Sequence, residues 1–262
     1  MKIAVCFFGH TGSWQGRNVS DSNNPKLIFD NYKKYIFRNF DTDIFVHTWS
    51  KNFKNEIEKE LKPKLAIYED QKDFSQVDIK KYEEFMGFNI LNFSDRELHE
   101  KKEFIFRTHS RWYSNSKSLQ LMTEYSKKKN IKYDWVVQIR FDLFFFKKFR
   151  FNNLDKNKFY SPRRDHEKSI AINDHYFISN YNNAIKFSSI IDHIFELPIR
   201  PPCAAKKFLE NLNIKNGDHF DVLIDFFLIR WIHKDYNKII FKIKRLCKVI
   251  LRIFGIRSRI KR

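Results

Sequence analysis

Cysteine is sparse and poorly placed for paired chemistry. The three residues, Cys6, Cys203 and Cys247, are odd in number and far apart, with no C-x-x-C pair of the kind that zinc and redox sites use. A reduced, cytosolic chain is the expectation. Long hydrophobic runs are missing as well: no stretch reaches the roughly 18 uninterrupted apolar residues of a membrane span, and the apolar opening Lys2–Phe8 meets Gly9 and His10 too soon for a secretory leader. No internal repeat or low-complexity linker is visible. The loop Gly9-His-Thr-Gly-Ser-Trp-Gln-Gly16 matches neither G-x-G-x-x-G nor G-x-x-x-x-G-K-[ST], so a kinase or a Rossmann dehydrogenase is not expected. Its glycines either approach a phosphate or simply let the chain leave a buried strand. No nucleophile elbow is present, and His47, His109 and His166 lack partners at recognisable ligand spacing, which argues against a hydrolase or a zinc enzyme.

What is present is a chain that folds. Hydrophobic residues make up 42% and aromatics 17%, with 29 Phe, well above a disordered composition. The abundance of Phe, Lys, Ile and Asn also fits an AT-rich coding sequence, so the Phe count has no functional meaning by itself. A length of 262 residues suits one α/β domain with a short appendix. The formal charge of +19 points to nucleic acid, a membrane surface or an anionic substrate. Ten of the 50 basic residues, and no acidic one, lie between Lys238 and Arg262, so that segment supplies over half of the excess.

Along the chain, Lys2–Phe8 reads as a buried parallel strand. Asn24 and Pro25 look like the cap and first turn of a helix with Leu27, Tyr32, Tyr35 and Ile36 on its apolar face. Strands are expected at Asp43–His47 and, after a charged helix, at Lys64–Tyr68. Little beyond surface helix and loop is assigned to Asp73–Lys102, with weak helical periodicity at Ile79–Met86. A helix over about Ser110–Lys129, with Trp112, Ser116, Leu119 and Thr123 on one side, leads into the clearest strand, Tyr133–Ile139, closed by Arg140, Phe141 and Asp142. A hairpin-like region near Phe159–Pro162, a strand at Asp174–Ile178 and a helix at Asn180–Ile194 follow. Pro198, Pro201 and Pro202 should force a loop, before helices at Ala204–Leu212 and Asp218–Ile232.

The chain is expected to divide into a domain over 1–234 and a basic amphipathic tail over 235–262. In the tail, Ile239, Ile243, Leu246, Ile250 and Ile253 recur at spacings of four and three, with Lys238, Lys242, Arg245 and Arg252 on other faces. Such a helix either packs on the core or lies on an anionic membrane surface, and the membrane surface is the preferred reading.

The residues that carry chemistry sit at strand ends. Asp142 follows a buried strand, where open α/β sheets present functional groups, and Arg140 points to the same side, able to neutralise a phosphate. Alternatively the two merely cap the strand and pair with each other. Arg111-Trp-Tyr-Ser-Asn-Ser-Lys117, Tyr133–Asp142 and Asp174–Ser179, together with the opening Ile3–Gly9 and Phe45-Val-His-Thr-Trp49, resemble in order and spacing the polysaccharide-biosynthesis glycosyltransferases of bacteria and viruses that have the GT-A fold. The resemblance spans roughly residues 1 to 230. It implies a mixed, mostly parallel Rossmann-related sheet flanked by helices, and a UDP-, GDP- or CMP-linked sugar donor.

By the same resemblance, Gly9, His10 and Arg17 would contact the nucleotide, and Trp112, Tyr113 and Lys117 would form a helix beside the donor. Arg140-Phe-Asp142 stands where such enzymes place an Asp-x-Asp metal motif, with Arg140 in place of the first carboxylate. Asp142 would then hold Mn2+ or Mg2+. Asp174, with His175, falls on the acceptor side and is the candidate base for the acceptor hydroxyl. Its alternative is a strand-starting Asp with His175 in a packed or solvated position. Asp218, His219, Asp221 and Asp225 form a second acidic group, more simply a solvated helix face than a metal site. The acceptor would be a glycan or glycolipid of capsule, lipopolysaccharide or a similar surface polymer, and the enzyme would sit in the cytoplasm on the inner face of the plasma membrane. The alternative of another class is a basic nucleic-acid or membrane-surface module without catalysis; nucleic acid is disfavoured because the tail carries most of the charge.

Overall fold

The computed structural model describes residues 1–11, 25–82, 94–163, 170–222 and 224–228. A seven-stranded sheet has the order β3-β2-β1-β4-β7-β6-β8, built from β1 (Lys2–Gly9), β2 (Asp41–Thr48), β3 (Leu65–Tyr68), β4 (Trp135–Arg140), β6 (Lys158–Arg163), β7 (Tyr176–Ser179) and β8 (Lys215–Asp221). Strands β3, β2, β1 and β4 run parallel, β7 is antiparallel to both β4 and β6, and β6 and β8 are parallel. A separate antiparallel ribbon pairs β5 (Leu143–Phe145) with β9 (Phe226–Leu228). This is the mixed, mostly parallel α/β sheet with flanking helices that the sequence led one to expect.

The sheet separates two apolar cores, and strand alternation assigns residues to them. Ile3, Val5 and Phe7 of β1 join Trp135, Val137 and Ile139 of β4 on one face. Ala4 and Cys6 of β1 join Val136 of β4 on the other. Because both faces are covered, β1 and β4 read as continuous apolar runs, as central parallel strands should. The first core is closed by α1 (Pro25–Tyr32), the π-helical turn Lys33–Phe37, α2 (Lys54–Leu61) and the inner face of the ribbon. The second is closed by α3 (Asp95–Lys129), α4 (Tyr181–Phe187) and α5 (Pro201–Asn211).

Several elements differ from expectation. Helix α3 begins at Asp95, not near Ser110, because Ser94 and Glu97 form a capping box: Ser94 Oγ accepts from the Glu97 amide and the Glu97 carboxylate accepts from the Ser94 amide. At its other end Lys127–Lys129 meet the negative helix terminus, and Asn130 closes it in the left-handed conformation. The expected helix at Asp218–Ile232 is, over its described part, the end of β8, a turn and β9. There Phe220, Phe226 and Leu228 bury into the first core, so packing decides the conformation over local pattern. Pro201 and Pro202 open α5 rather than a loop, since a first-turn proline loses no helical hydrogen bond. Leu27 is exposed; Ile28, Phe29, Tyr32 and Ile36 form the buried stripe instead. The amphipathic tail, Asn24 and the second half of the periodic stretch Ile79–Met86 lie outside the described residues, and among those described no helix is long and apolar enough to cross a membrane.

Candidate active site

Strand direction gathers the chemistry at one edge of the sheet. Gly9 of β1 pairs with Thr48 of β2, Phe8 with Arg140 of β4, and Ile139 with Tyr176 at the start of the reversed β7. The carboxyl ends of three parallel strands therefore lie beside the segment Asn173-Asp174-His175 that enters β7. Gly9 has φ +92, a left-handed conformation that strains any side-chain-bearing residue, and so it turns the chain out of β1.

One face of α3 closes over these ends. Ser110 Oγ donates to Gln71 Oε1 at 2.9 Å, Arg111 Nη1 contacts both the Asp174 carbonyl and its carboxylate at 2.7 Å, and Ser114 Oγ accepts from the Gly9 amide at 2.7 Å. Ser114 is four residues from Ser110 and three from Arg111, spacings that set it between the two on one side of the helix. Beneath the edge, the buried Tyr32 hydroxyl donates to the Arg140 carbonyl at 2.9 Å and accepts from the Leu143 amide at 3.2 Å, which fixes the turn bearing Asp142. Asn31 exchanges two hydrogen bonds with the Phe145 backbone, so α1 holds β5 as a neighbouring strand would.

Two arginine–carboxylate pairs result, Arg140 with Asp142 and Arg111 with Asp174. All four side chains are largely buried, which makes both pairs stronger than exposed ion pairs. The His175 imidazole feels all four charges; burial first, then Arg140, lowers its pKa to about 3, so it is neutral at physiological pH. His10 is also lowered, by burial first, while the hydrogen bond from its Nε2 to Gln71 Oε1 at 3.1 Å pulls the other way; it too feels Asp142 and Arg140. At the end of β2, His47 Nδ1 lies 2.7 Å from Ser114 Oγ and Nε2 lies 2.8 Å from Glu69 Oε1. Burial lowers its pKa, and Glu69 opposes that shift. Next to it the Trp49 and Tyr113 rings stack at 5.5 Å, with Lys72 at 4.2 Å and Lys117 at 5.5 Å from the Tyr113 ring.

The structure thus brings Gly9, His10, Arg140, Asp142, Asp174 and His175 to one edge, with Tyr113 and Lys117 on the adjoining face of α3. Trp112 is placed elsewhere: it is wholly buried and stacks on Phe177 at 6.1 Å in the second core, since successive helical residues point about 100° apart. Arg17 lies outside the described residues, as do Gly12, Gly16 and His166. His47 and His109 have the partners their spacing did not suggest, Ser114 and Glu69 for the first and Tyr82 for the second. In the second acidic group, Asp225 Oδ2 accepts from the Asp221 amide at 2.9 Å and Asp225 lies 3.5 Å from Lys147. Arg111, Gln71, Ser110 and Ser114 were not singled out from the sequence. Polar residues recurring at spacings of three and four along this side of α3, at Arg107, Ser110, Arg111, Ser114, Lys117 and Ser118, were the available signal.

For a divalent cation, the described residues offer one suitable carboxylate, Asp142, already paired with Arg140. Among them no group of three or more His, Cys, Asp or Glu converges. A cation at this edge would therefore take most of its ligands from substrate phosphates and water, as Mg2+ commonly does.

No family model and no curated protein matches the chain. Among solved structures, similar ones include a glycosyltransferase involved in the glycosylation of the major capsid of PBCV-1, at 9% identity over 89% of this chain and 98% of that one, TM-score 0.41. The PaToxG glycosyltransferase matches at 16% identity over 80% and 69%, TM-score 0.36. A nucleoside-diphosphate-sugar pyrophosphorylase from Vibrio cholerae RC9 matches at 9% identity over 87% and 95%, TM-score 0.39.

Proposed function

We propose that this chain is a glycosyltransferase that moves a sugar from a nucleotide-linked donor to a glycan or glycolipid acceptor of a surface polymer such as capsule or lipopolysaccharide. The observation that carries the proposal is the convergence of Arg140–Asp142 and Arg111–Asp174 around a neutral His175, at the carboxyl edge of parallel strands. Transfer breaks the bond between the anomeric carbon and the phosphate oxygen of the nucleotide, so negative charge builds on the leaving phosphate. Arg140, on the donor side, meets that charge. Asp142 orients Arg140 and is the residue that would hold Mn2+ or Mg2+, whose charge would add to the guanidinium's. His10 and the Trp49–Tyr113 stack with Lys72 and Lys117 lie on the nucleotide side of the edge.

On the acceptor side Asp174 is the base: its carboxylate takes the acceptor hydroxyl proton as the oxygen attacks the anomeric carbon. Arg111, bonded to both the backbone and the side chain of Asp174, fixes that carboxylate's direction. His175, uncharged, adds a polar wall without competing for the phosphate. The basic tail would hold the enzyme at an anionic membrane, on the cytoplasmic side where nucleotide sugars are made.

The test is binding of UDP, GDP and CMP to the full-length protein, with and without Mn2+. One nucleotide should bind in preference, more tightly with the metal, and Asp142→Ala should abolish the metal's effect. Binding of RNA or DNA that weakens steeply with salt, in the absence of nucleotide affinity, would overturn the proposal in favour of a nucleic-acid module.

A further inference from the structure

The β5–β9 ribbon has two faces of different fate. Leu143, Phe145, Phe226 and Leu228 point inward and fill the first core. Strand alternation sets Phe144, Phe146 and Phe227 on the other face, where they pack on one another with ring separations of 5.3 to 5.8 Å; Phe144 and Phe227 are half-buried and also rest against the first core, so Phe146 is the ring that meets solvent most. Phe146 is 51% exposed and Ile224, in the turn before β9, is 52% exposed. Lys147, Lys148 and Arg150, all exposed, follow at once. Large apolar side chains clustered on a surface are costly in water and mark a contact site.

We propose that this outer ribbon face docks on an anionic lipid bilayer. The inference goes beyond the transfer reaction and does not depend on it. Chemistry favours the lipid over a glycan: a sugar platform needs hydrogen-bond acceptors as well as donors beside its rings, whereas the exposed side chains here are phenyl, aliphatic and cationic, two ammoniums and the Arg150 guanidinium, which suit lipid phosphates. Among the described acids nearby, Asp225 is turned to the Asp221 amide and to Lys147, and Asp221 lies 3.6 Å from Arg163. Phenylalanines entering the headgroup boundary with lysines at the phosphates is the arrangement of an interfacial anchor. Charge complementarity is reinforced in sequence, because the chain leaves β9 at Leu228 into the segment whose residues 238–262 hold ten basic side chains and no acidic one. Two attachments joined at one ribbon bind together far more tightly than either alone. Phe144 is two residues from Asp142, so docking here brings the reactive edge to the level of the headgroups.

The experiment is partition of the full-length protein onto vesicles of equal parts phosphatidylcholine and phosphatidylglycerol, compared with phosphatidylcholine alone. Phe146→Ser with Ile224→Ser should lower partition onto the anionic vesicles about tenfold, as expected for removing two partly inserted apolar side chains. Lys147→Gln with Lys148→Gln should lower it by about fivefold or more at low salt, and leave the neutral vesicles unaffected. Both pairs are exposed, so circular dichroism and the thermal midpoint should match the parent, and nucleotide binding serves as a separate control. Parent-like partition of the Phe146/Ile224 variant overturns the proposal; it is also the result expected if the tail covers this face. Unchanged partition with weakened binding of an acceptor oligosaccharide overturns it in favour of a glycan platform.

Discussion

The parallel half of the sheet, β3-β2-β1-β4, and the reversed half, β7-β6-β8, meet at the active edge but are held in different ways. In the parallel half, polar groups at the strand ends are tied into networks: Gly9 to Ser114, Ser114 to His47, His47 to Glu69, and Thr11 to both Ser50 and Thr48. The reversed half is held by aromatic packing, with Tyr176 against Phe145, Phe149 and Phe226 and its hydroxyl on His219 Nδ1 at 2.7 Å. The difference matches the proposed division of labour. A charged nucleotide is bound by fixed dipoles and cations, whereas the acceptor side needs one well-aimed base on a firm apolar support.

The largest effect that could break this division is Asp174→Asn. Removal of a general base slows turnover by about 10²- to 10⁴-fold, while nucleotide affinity should change by no more than about twofold, since Asp174 enters from β7 and not from the donor strands. Steady-state transfer and calorimetric nucleotide binding on the same protein separate the two. A comparable loss of nucleotide affinity would show that Asp174 belongs to the donor site, and the two halves would no longer be functionally distinct.

Much of the parallel half was legible in sequence because its signals are local. Continuous apolar runs such as Ile3–Phe8 and Trp135–Ile139 announce strands buried on both faces, and the residues just past them are where such sheets present chemistry. That logic pointed to Arg140 and Asp142, and the resemblance added Gly9, His10 and Asp174 as candidates. The reversed half was less legible. Phe220, Phe226 and Leu228 become strand residues only because they face Phe145 and Phe149 across the core, a contact between segments distant in sequence. Arg111 was hidden for a related reason: it is one polar residue in a long helix until folding sets it against Asp174. Trp112 shows the converse, an aromatic inside a suggestive segment that turns inward.

Acid should separate the halves next. In the unfolded chain histidine titrates near 6.5, whereas burial holds His175 and His219 at about 3 and His109 at about 4 in the native protein. Between those values the unfolded state binds more protons than the folded one, so stability is retained above about pH 6.5 and falls as pH drops toward 4. Each such proton contributes a slope of about 1.4 kcal/mol per pH unit. Urea unfolding across pH 7 to 4.5 should report uptake of about two or more protons on unfolding. His47 and His10 have Glu69 and Gln71 opposing their shifts, so exchange of backbone amides at pH 5 should rise in β7 and β8 before β1 and β2. Uniform acceleration across the sheet would mean that the two halves open as one unit.

The smallest effect tests whether α3 links the halves rigidly. Its first turns lie beyond the parallel strands, and Ser94 anchors them through the capping box with Glu97. Ser94→Ala removes a cap worth about 1 kcal/mol, and it leaves untouched the contacts of Ser110, Arg111 and Ser114 several turns further on. Denaturation should show a loss of about that size, with faster amide exchange confined to the turns after Ser94 and nucleotide affinity unchanged. If affinity falls as well, fraying at the helix start must reach Ser110 and Ser114 and loosen Gln71 and the Gly9 turn, and the edge would depend on α3 as a single rod rather than on the strand ends beneath it.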